Sequence, residues 1–305
     1  MRLSTRFNIK PLTIIMIDIL ISTFCHIDDF CIIYEKQQKH KLIGKQNNRQ
    51  YGCKAKLSTS EIVTILMMFQ ITQYRNFKTY YNEFISIYWK EYFPTAPSYN
   101  RFVEIIPQAL VPLISFITSN KGKQTDVYYI DATKLPVCHG LREKRHRVFN
   151  GLAGKSKTST GWFFGLKLHL VINNLCEIVN LRVTRGNTDD RTPLPELCNA
   201  LKGMIFGDRG YVSKDKTELL SKQGLKLITT LKKNMKKVFR SKEEKDLLRH
   251  RGIIETLFDH LKNSLMLWHT RHRSPINAFT HLISCLAAWV INPISIIAQK
   301  RLYVM

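Results

Sequence analysis

Three acidic residues in the second half of the chain have the type and spacing of metal ligands. Asp131 and Asp208 each end a short apolar, strand-like run, and Glu255 lies in an amphipathic helical pattern. Carboxylate oxygens are the hard ligands that Mg²⁺ prefers, and two or three suffice because Mg²⁺ keeps several waters. A pair of such ions can position a nucleophile and stabilise the leaving oxygen of a phosphodiester. The three acids therefore indicate an enzyme that cuts or joins nucleic acid.

The net charge of the chain favours a polyanionic partner. Among 305 residues there are 47 Lys and Arg against 23 Asp and Glu, which gives a formal charge of +24. Such an excess is typical of proteins that bind nucleic acid or an anionic membrane. Because 44% of the residues are hydrophobic, the chain can bury a core and is not a disordered basic tail.

Apolar segments and cysteines together favour a cytoplasmic protein. Two segments, starting at Pro11 and Ala278, are apolar enough to resemble membrane spans. Polar residues interrupt both, Asp18 in the first and His281 and Asn292 in the second, so we expect buried helices and no membrane partner. The seven cysteines form no C-x-x-C pair, which indicates reduced thiols rather than a disulfide framework or a zinc site.

Residues 1 to about 120 have a helical pattern. A capping-box sequence runs from Ser58 to Glu61, and apolar residues then recur at helical spacing from Ile62 to Phe69. Several short helices with Lys and Arg between them are compatible with a helix-turn-helix-like DNA-binding region. They are equally compatible with a helical bundle that packs on a catalytic domain.

Residues 121–305 have the pattern of an α/β domain. Strands are predicted at 127–131, 162–173, 177–185, 204–207 and 225–231, and helices at 193–201, 213–223 and 243–267. The first three strands can pair as a meander, and the alternating elements that follow favour parallel pairing. The expected architecture is a mixed sheet flanked by helices.

The identity of the third acidic ligand is open at this level. On the last predicted helix, Arg251, Glu255 and Lys262 share one face, but Arg251 and Glu255 alone also match an ordinary solvated ion pair. Asp259 lies one helical turn beyond Glu255 and is a rival for the same role. The acids at 189–190 are further rivals, although their sequence context is also that of a turn and helix cap.

Five segments carry a family resemblance that covers nearly the whole chain. They are YYIDATKLPVC, TGWFFGLKLHLVIN, GNTDDRTPL, FGDRGY and R-x3-E-x6-K, the last fitting Arg251, Glu255 and Lys262. On these motifs the chain resembles the DDE transposases of bacterial insertion sequences, most closely the family numbered nine-eight-two, related to the larger superfamily numbered four. In that superfamily a Tyr precedes the Arg by three residues. This position is Leu248 here, so no role of that Tyr carries over.

The resemblance implies a fold, a metal site and partners. It implies a ribonuclease-H-like DDE catalytic domain at 121–305, preceded by an α-helical DNA-end-binding region at 1–120. It implies that Asp131, Asp208 and Glu255 bind two Mg²⁺ ions, which Mn²⁺ can replace, and that Arg251 and Lys262 contact terminal DNA phosphates. The implied partners are terminal inverted repeats and target DNA, bound in the bacterial cytoplasm by a homodimer or larger assembly.

A lysine cluster and two alternative functions complete the expectations. Before the Glu255 helix lies a cluster that we expect to contact DNA, with a solvated loop as the alternative: Lys232, Lys233, Lys236 and Lys237. The alternatives to a transposase are a ribonuclease-H-like nuclease or resolvase without strand transfer, and a non-catalytic basic DNA-binding protein.

Overall fold

The computed structural model describes residues 11–42, 56–158, 161–230, 239–268 and 272–291. The chain divides into two compact units, Met1–Phe116 and Ile117–Met305. The described part of the first unit is helical, and the second unit contains the sheet and the three acids.

The first unit is built from helices of very different length. They are α1 (Pro11–Leu42), α2 (Thr59–Ile71), α3 (Phe77–Tyr80), a π-helical segment (Tyr81–Tyr88), α4 (Tyr99–Ile105), a 3₁₀ turn (Ile106–Ala109) and α5 (Leu110–Ser119), whose last residues belong to the second unit. The expected capping box is confirmed: the backbone N–H of Glu61 donates to Ser58 Oγ at 3.1 Å, and that of Ser58 donates to the Glu61 carboxylate at 2.7 Å. A role of this unit in binding DNA ends stays a prediction.

One helical run of the described residues, Tyr99–Ser119, is long and apolar enough to cross a membrane by length and composition. Of its most apolar window, 44% is buried inside the protein, and core helices meet the same criterion. The apolar segment that starts at Ala278 lies partly in α10 (Pro275–Ile291), where residues 280–289 are buried.

The described part of the second unit contains one mixed sheet of six strands. They are β1 (Val127–Cys138), β2 (Gly154–Thr158), β3 (Gly161–Asn173), β4 (Ile178–Arg185), β5 (Gly203–Gly207) and β6 (Leu225–Thr229). The order is β2-β3-β1-β5-β6; β4 also pairs with β3. Strand β3 is antiparallel to β1, β2 and β4, whereas β1, β5 and β6 run parallel.

Helices cover this sheet. They are α6 (Leu194–Leu197), α7 (Lys214–Lys222), α8 (Lys242–Arg249), α9 (Gly252–Asn263) and α10. Tyr128 and Ile130 of β1 join the buried cluster that contains Leu197 of α6 and Leu220 of α7. Helix α9 contacts β1 and buries an apolar stripe comprising Ile254, Leu257, Phe258 and Leu261.

The prediction that a strand ends at Asp131 is wrong. Strand β1 continues to Cys138, because β3 pairs with it well beyond Asp131, through Pro136 opposite Gly165. Its parallel pairing with β5, however, goes only to Tyr129 opposite Phe206. Asp131 therefore lies inside a strand but beyond the part that β5 covers.

The single helix predicted at 243–267 is also wrong, since α8 and α9 are separate. Helix α8 begins at a capping box of Ser241 and Glu244 and ends at His250. Arg251 is the N-cap of α9, and Gly252, a poor helix former, follows it. Strand β2 was not predicted at all, because GKSKT has no apolar residue to produce an alternating pattern, and its pairing with β3 defines it.

Gly165 allows β1 to approach β3 at the point where β2 also joins. A Cβ at this position would lie 2.1 Å from the Leu135 carbonyl oxygen, which belongs to the backbone and cannot turn away.

We expect Gly165→Ala to lower the free energy of unfolding by about 2 kcal/mol or more, because the β1–β3 pairing must separate. Chemical denaturation measures this change. The matched control is Gly140→Ala, whose Cβ would meet its nearest atom at 4.0 Å; equal losses in both variants would contradict the argument.

Candidate functional site

The parallel register of β1 and β5 brings Asp131 and Asp208 side by side. Tyr129 pairs with Phe206 at the end of this register. Two residues further along each chain are Asp131, in β1, and Asp208, just after β5. Neighbouring strands lie about 4.8 Å apart, so the two acids occupy adjacent positions at the carboxyl end of the parallel pair.

Both aspartates face the same side of the sheet. Side chains alternate along extended backbone, and Asp208 keeps extended backbone angles, φ −75° and ψ 170°. The Tyr129 and Phe206 rings, two residues earlier, lie with centroids 5.7 Å apart. Asp131 and Asp208 therefore project on the side of these rings, opposite the cluster that contains Ile130 and Leu220.

Each aspartate uses one carboxylate oxygen locally. Asp131 Oδ1 accepts a hydrogen bond from the Ala132 backbone N–H at 2.8 Å. Asp208 Oδ1 accepts one from the Arg209 N–H at 2.6 Å and caps the 3₁₀ turn Arg209–Tyr211. These bonds fix the orientation of both carboxylates, and the second oxygen of each is the atom that can turn toward a cation.

Arg251 joins Asp131 to Glu255. Its Nη1 lies 3.8 Å from Asp131 Oδ2, and its Nη2 forms an ion pair with Glu255 Oε1. The Arg251 side chain is 20% exposed and that of Asp131 is 24% exposed, so both charged groups are partly shielded from solvent. Glu255 lies in the first turn of α9, where the helix dipole favours negative charge. Arg251 therefore lies between two of the three acids that we expected to converge.

Burial and neighbouring charges both act on the Asp131 carboxyl. The pKa of Asp131 is raised to about 6: burial is the largest cause and the charges of Asp208 and Glu255 add to it, whereas the Ala132 hydrogen bond and Arg251 oppose the shift. Opposing and like charges therefore both reach this carboxyl, and in the metal-free protein the raised pKa lets Asp131 take up a proton at mildly acidic pH.

Lys262 extends the site along α9. Its Nζ lies 5.2 Å from the centroid of the Trp268 ring and 5.8 Å from that of Phe258. Burial lowers its pKa, and the charges of Asp259 and Asp131 oppose that shift. The ammonium group is thus held beside the acids by aromatic rings.

The rival acids have other partners. Asp189 forms an ion pair with Arg191 at 2.5 Å, which holds the pKa of Asp189 at about 2. Asp190 pairs with Lys167 at 2.9 Å, so the acids at 189–190 serve a turn. Asp259 borders a surface cavity with Trp289, whereas the carboxylates that shift the pKa of Asp131 are Asp208 and Glu255. These contacts favour Glu255 over Asp259, although the roles themselves stay predictions.

The side chains of the three acids are chemically suited to bind a hard cation. Asp131, Asp208 and Glu255 supply carboxylate oxygens, as Mg²⁺ requires. Within the described ranges, no group of three His, Cys, Asp or Glu has the geometry of a metal site. Arg251 occupies the place between Asp131 and Glu255 instead. The four predicted DNA-contacting lysines, Lys232, Lys233, Lys236 and Lys237, lie outside the described residues.

Tyr211 is a site neighbour that the sequence analysis missed. Its side chain is buried in the cluster that contains Ile130 and Leu220, and within the described part of the chain its hydroxyl makes no hydrogen bond. Burial raises its pKa well above the usual value, and the charges of Asp131 and Asp208 add to the effect. The motif FGDRGY contained this residue, but nothing in its pattern distinguished a site neighbour from a core tyrosine.

The raised pKa of Asp131 predicts a pH-dependent gain in stability for Asp131→Asn. A carboxyl whose pKa is higher in the folded protein than in the unfolded chain stabilises the fold at low pH. That contribution is lost as pH rises through about 6. The variant keeps the shape without the charge, so its advantage in unfolding free energy should grow by about 1 kcal/mol between pH 5 and pH 8. Urea titrations of the metal-free protein measure it; an advantage independent of pH would contradict the prediction.

Comparisons with known proteins identify the family. A family model described as a transposase DDE domain matches residues 121–275, slightly more than half of the chain and all three acids. No curated protein matches. Among solved structures, a similar chain is found in the cryo-EM structure of a piggyBac transposase synaptic complex with hairpin DNA. The similarity covers 87% of this chain and 74% of that chain, at 11% sequence identity. Its TM-score of 0.46 is too low to establish a shared fold. By the family match, the chain belongs to the transposase DDE-domain family.

Proposed function

We propose that this protein is the transposase of a bacterial insertion sequence. It cleaves DNA at the ends of the element and transfers the resulting 3′-OH to target DNA. The observation that carries the proposal is that Arg251 contacts both Asp131 and Glu255, and that Asp208 acts on Asp131. All four residues lie within the range that the family model matches. The motif resemblance to the family numbered nine-eight-two supports the narrower assignment.

The catalytic unit is, in this proposal, a ribonuclease-H-like core. Support comes from the mixed sheet, in which antiparallel strands β1, β3 and β4 are followed by parallel strands β5 and β6. Helices α7 and α9 contribute to its cover. The positions of two acids at the end of the β1–β5 pairing, and of a third on α9, agree with this assignment.

Asp131, Asp208 and Glu255 would hold two Mg²⁺ ions, and Mn²⁺ could replace them. Divalent metals are general in DDE transposases, and when bound they supply a positioned nucleophile and charge stabilisation at the phosphoryl group. The side chains do the rest. Asp131 and Asp208 keep fixed orientations through their backbone hydrogen bonds, and Arg251 and Lys262 provide cations that can bind phosphate oxygens.

The reaction requires two in-line displacements at one place. Water attacks the phosphodiester at the element end and the P–O3′ bond breaks, which leaves a 3′-OH on the element and a 5′-phosphate on the flanking DNA. This hydroxyl then attacks a phosphodiester of the target, forms a bond to its phosphorus and displaces a 3′-OH of the target strand. In both steps Arg251 and Lys262 position the DNA phosphates around the acids. The transfer of Arg251 from Glu255 to a phosphate would leave the carboxylates available as ligands.

The partners follow from the same proposal. The terminal inverted repeats and the target are double-stranded DNA, and the charge of +24 suits both. The helical unit Met1–Phe116 would bind the DNA ends, and the lysines of the 232–237 cluster would add phosphate contacts. We further propose assembly on DNA as a homodimer or larger complex in the bacterial cytoplasm.

The decisive experiment measures cleavage and joining separately. Purified protein is incubated with Mg²⁺ and a duplex taken from the DNA that flanks the gene, either uncut or with a preformed 3′-OH end. We expect cutting of the first and joining of the second. Asp208→Asn should lower both by orders of magnitude while DNA binding persists, because a negative charge near phosphates is removed. Cutting without joining would support a nuclease, and binding without either would support a non-catalytic protein.

A second experiment identifies the third ligand. Glu255→Gln should abolish Mg²⁺-dependent cleavage, whereas Asp259→Asn should leave most of it, because Glu255 is the acid linked to Asp131 through Arg251. Mn²⁺, which tolerates looser geometry, should restore a little activity to the Glu255 variant. The opposite pattern, with Asp259→Asn inactive and Glu255→Gln active, would contradict the assignment. It would mean that the third ligand lies one helical turn beyond the Glu of the R-x3-E-x6-K motif.

A third experiment tests whether Arg251 competes with the metal. In DNA-free protein, Arg251→Gln removes the cation between Asp131 and Glu255, so Mg²⁺ affinity should rise by about tenfold. Calorimetric titration of the metal-free protein measures this affinity without any reaction. Arg249→Gln is the matched control, because Arg249 pairs with Asp246 on the exposed surface of α8. Weaker Mg²⁺ binding after Arg251→Gln would mean that Arg251 orients Glu255 for the metal instead.

A further inference from the structure

A basic surface lies at the β2–β3 hairpin. We call it the Trp162 patch, and its residues are Trp162, Lys155, Lys157, Arg142, Lys144 and Arg145. Trp162, at the start of β3, is 62% exposed, which is unusual for so large an apolar side chain. Lys155 and Lys157 belong to β2, and the other three basic residues belong to a 3₁₀ turn, Gly140–Arg145.

The register of the hairpin holds two lysines over the indole. Lys157 pairs directly with Trp162. Lys155, two residues earlier, faces the same side of the sheet. Their Nζ atoms lie 5.9 Å and 5.5 Å from the ring centroid, within the range of cation–π attraction. The ring is thus fixed in orientation by β2 while most of its surface stays in contact with solvent.

The neighbouring aromatic residue shows that exposure here is not a requirement of the hairpin. Phe164 lies on the same face of β3, opposite Lys155, yet it is only 8% exposed. His146 covers its edge, with ring centroids 6.2 Å apart. The fold therefore buries an aromatic side chain at this end of the sheet where packing needs one, and Trp162 stays outside that packing.

The charge around Trp162 is mainly positive. Residues 139–162 contain six Lys and Arg, and Glu143 is their single acid. Glu143 pairs with Lys155 at 3.0 Å, and the side chains of Arg142, Lys144 and Arg145 are exposed. A cluster of this charge would repel a basic protein surface and attract phosphates.

The Trp162 patch is separate from the acids, and β3, which carries Trp162, pairs with the strand that carries Asp131. Asp131 pairs with Leu170 of β3, and Trp162 precedes Leu170 by eight residues. At about 3.4 Å per residue, this corresponds to about 27 Å along the strand. A DNA duplex that follows β3 would cover this distance in about eight base pairs, since its rise is about 3.4 Å per base pair.

We propose that Trp162 stacks on an unpaired base of the bound DNA, while Lys155, Lys157 and the basic 3₁₀ turn contact the flanking phosphates. An exposed, oriented aromatic ring bordered by cations is the combination that binds single-stranded nucleic acid without base-specific hydrogen bonds. The inference rests on the proposed function for its choice of DNA as partner. It adds that the DNA is locally unpaired some distance from the reacting phosphate.

The test compares three fluorescent probes of one sequence: a duplex, the same duplex with a short mismatch bubble, and the single strand. Anisotropy titrations without Mg²⁺ give affinities in the absence of cleavage. Trp162→Ala should weaken binding of the bubble and the single strand by about 5- to 100-fold, and binding of the duplex by less than about twofold. Trp162→Phe, which keeps a ring, should recover most of the loss.

Charge and fold controls use matched residues. Lys157→Ala should weaken binding of all three probes and lower the salt dependence by about one phosphate contact. Leu219, which is 47% exposed on α7, provides the control for removing an exposed apolar side chain, and Leu219→Ala should leave all three affinities unchanged. Thermal melts confirm that each variant is folded.

The possible outcomes separate this inference from the proposed function. Equal affinities of Trp162→Ala and the unaltered protein for the bubble would overturn the stacking role. So would a uniform loss across the three probes, or a change in oligomeric state without any change in DNA binding. If the unaltered protein does not cleave DNA but the Trp162→Ala variant binds the bubble more weakly than the unaltered protein does, the proposed reaction fails and the stacking role stands.

Discussion

The short parallel pairing between β1 and β5 is the constraint on which the candidate site depends. Only three residue pairs form it, from Val127 opposite Met204 to Tyr129 opposite Phe206. A shift of one residue in either strand would turn one aspartate to the opposite face of the sheet. Two carboxylates side by side repel each other, so the pairing is maintained by what surrounds it: the Tyr129–Phe206 ring contact on one face and the buried cluster around Ile130 on the other.

The charge balance of the site follows from that arrangement. The sheet holds two acids together, α9 adds a third, and Arg251 is the cation that offsets them. The pKa of Asp131 is nevertheless raised to about 6, because burial outweighs the stabilising effects of the Ala132 hydrogen bond and Arg251, and the charges of Asp208 and Glu255 add to the shift. The fold thus sustains a local electrostatic cost where the chemistry is proposed to occur, which is how binding sites for metals and phosphates commonly trade stability for function.

The sequence predicted the elements that carry strong periodicity. Strands β3, β4 and β5 were found within one residue at each end, and Ser58 and Ser213 were correctly placed at helix starts. The errors have identifiable causes. Strand β1 passes Asp131 because its partner β3 continues, and β2 exists because β3 pairs with it, and neither long-range contact is visible in a local pattern. The acids could be named from their positions and motifs, whereas the bridging place of Arg251 and the burial of Tyr211 depend on three-dimensional packing.

The topology of the sheet determines the order in which the site can assemble as the chain folds. The hairpin between β3 and β4 closes through a short turn at Asn173, and β1 pairs with β3 across a modest loop, so these antiparallel contacts are comparatively local. The pairing of β1 with β5 must wait for a strand that follows 65 or more residues later, and loops that long close slowly. The two aspartates are thus brought together by the slower, long-range part of the sheet. Glu255 and Arg251 belong to one helix, so the third carboxylate reaches the aspartates together with the cation that offsets it.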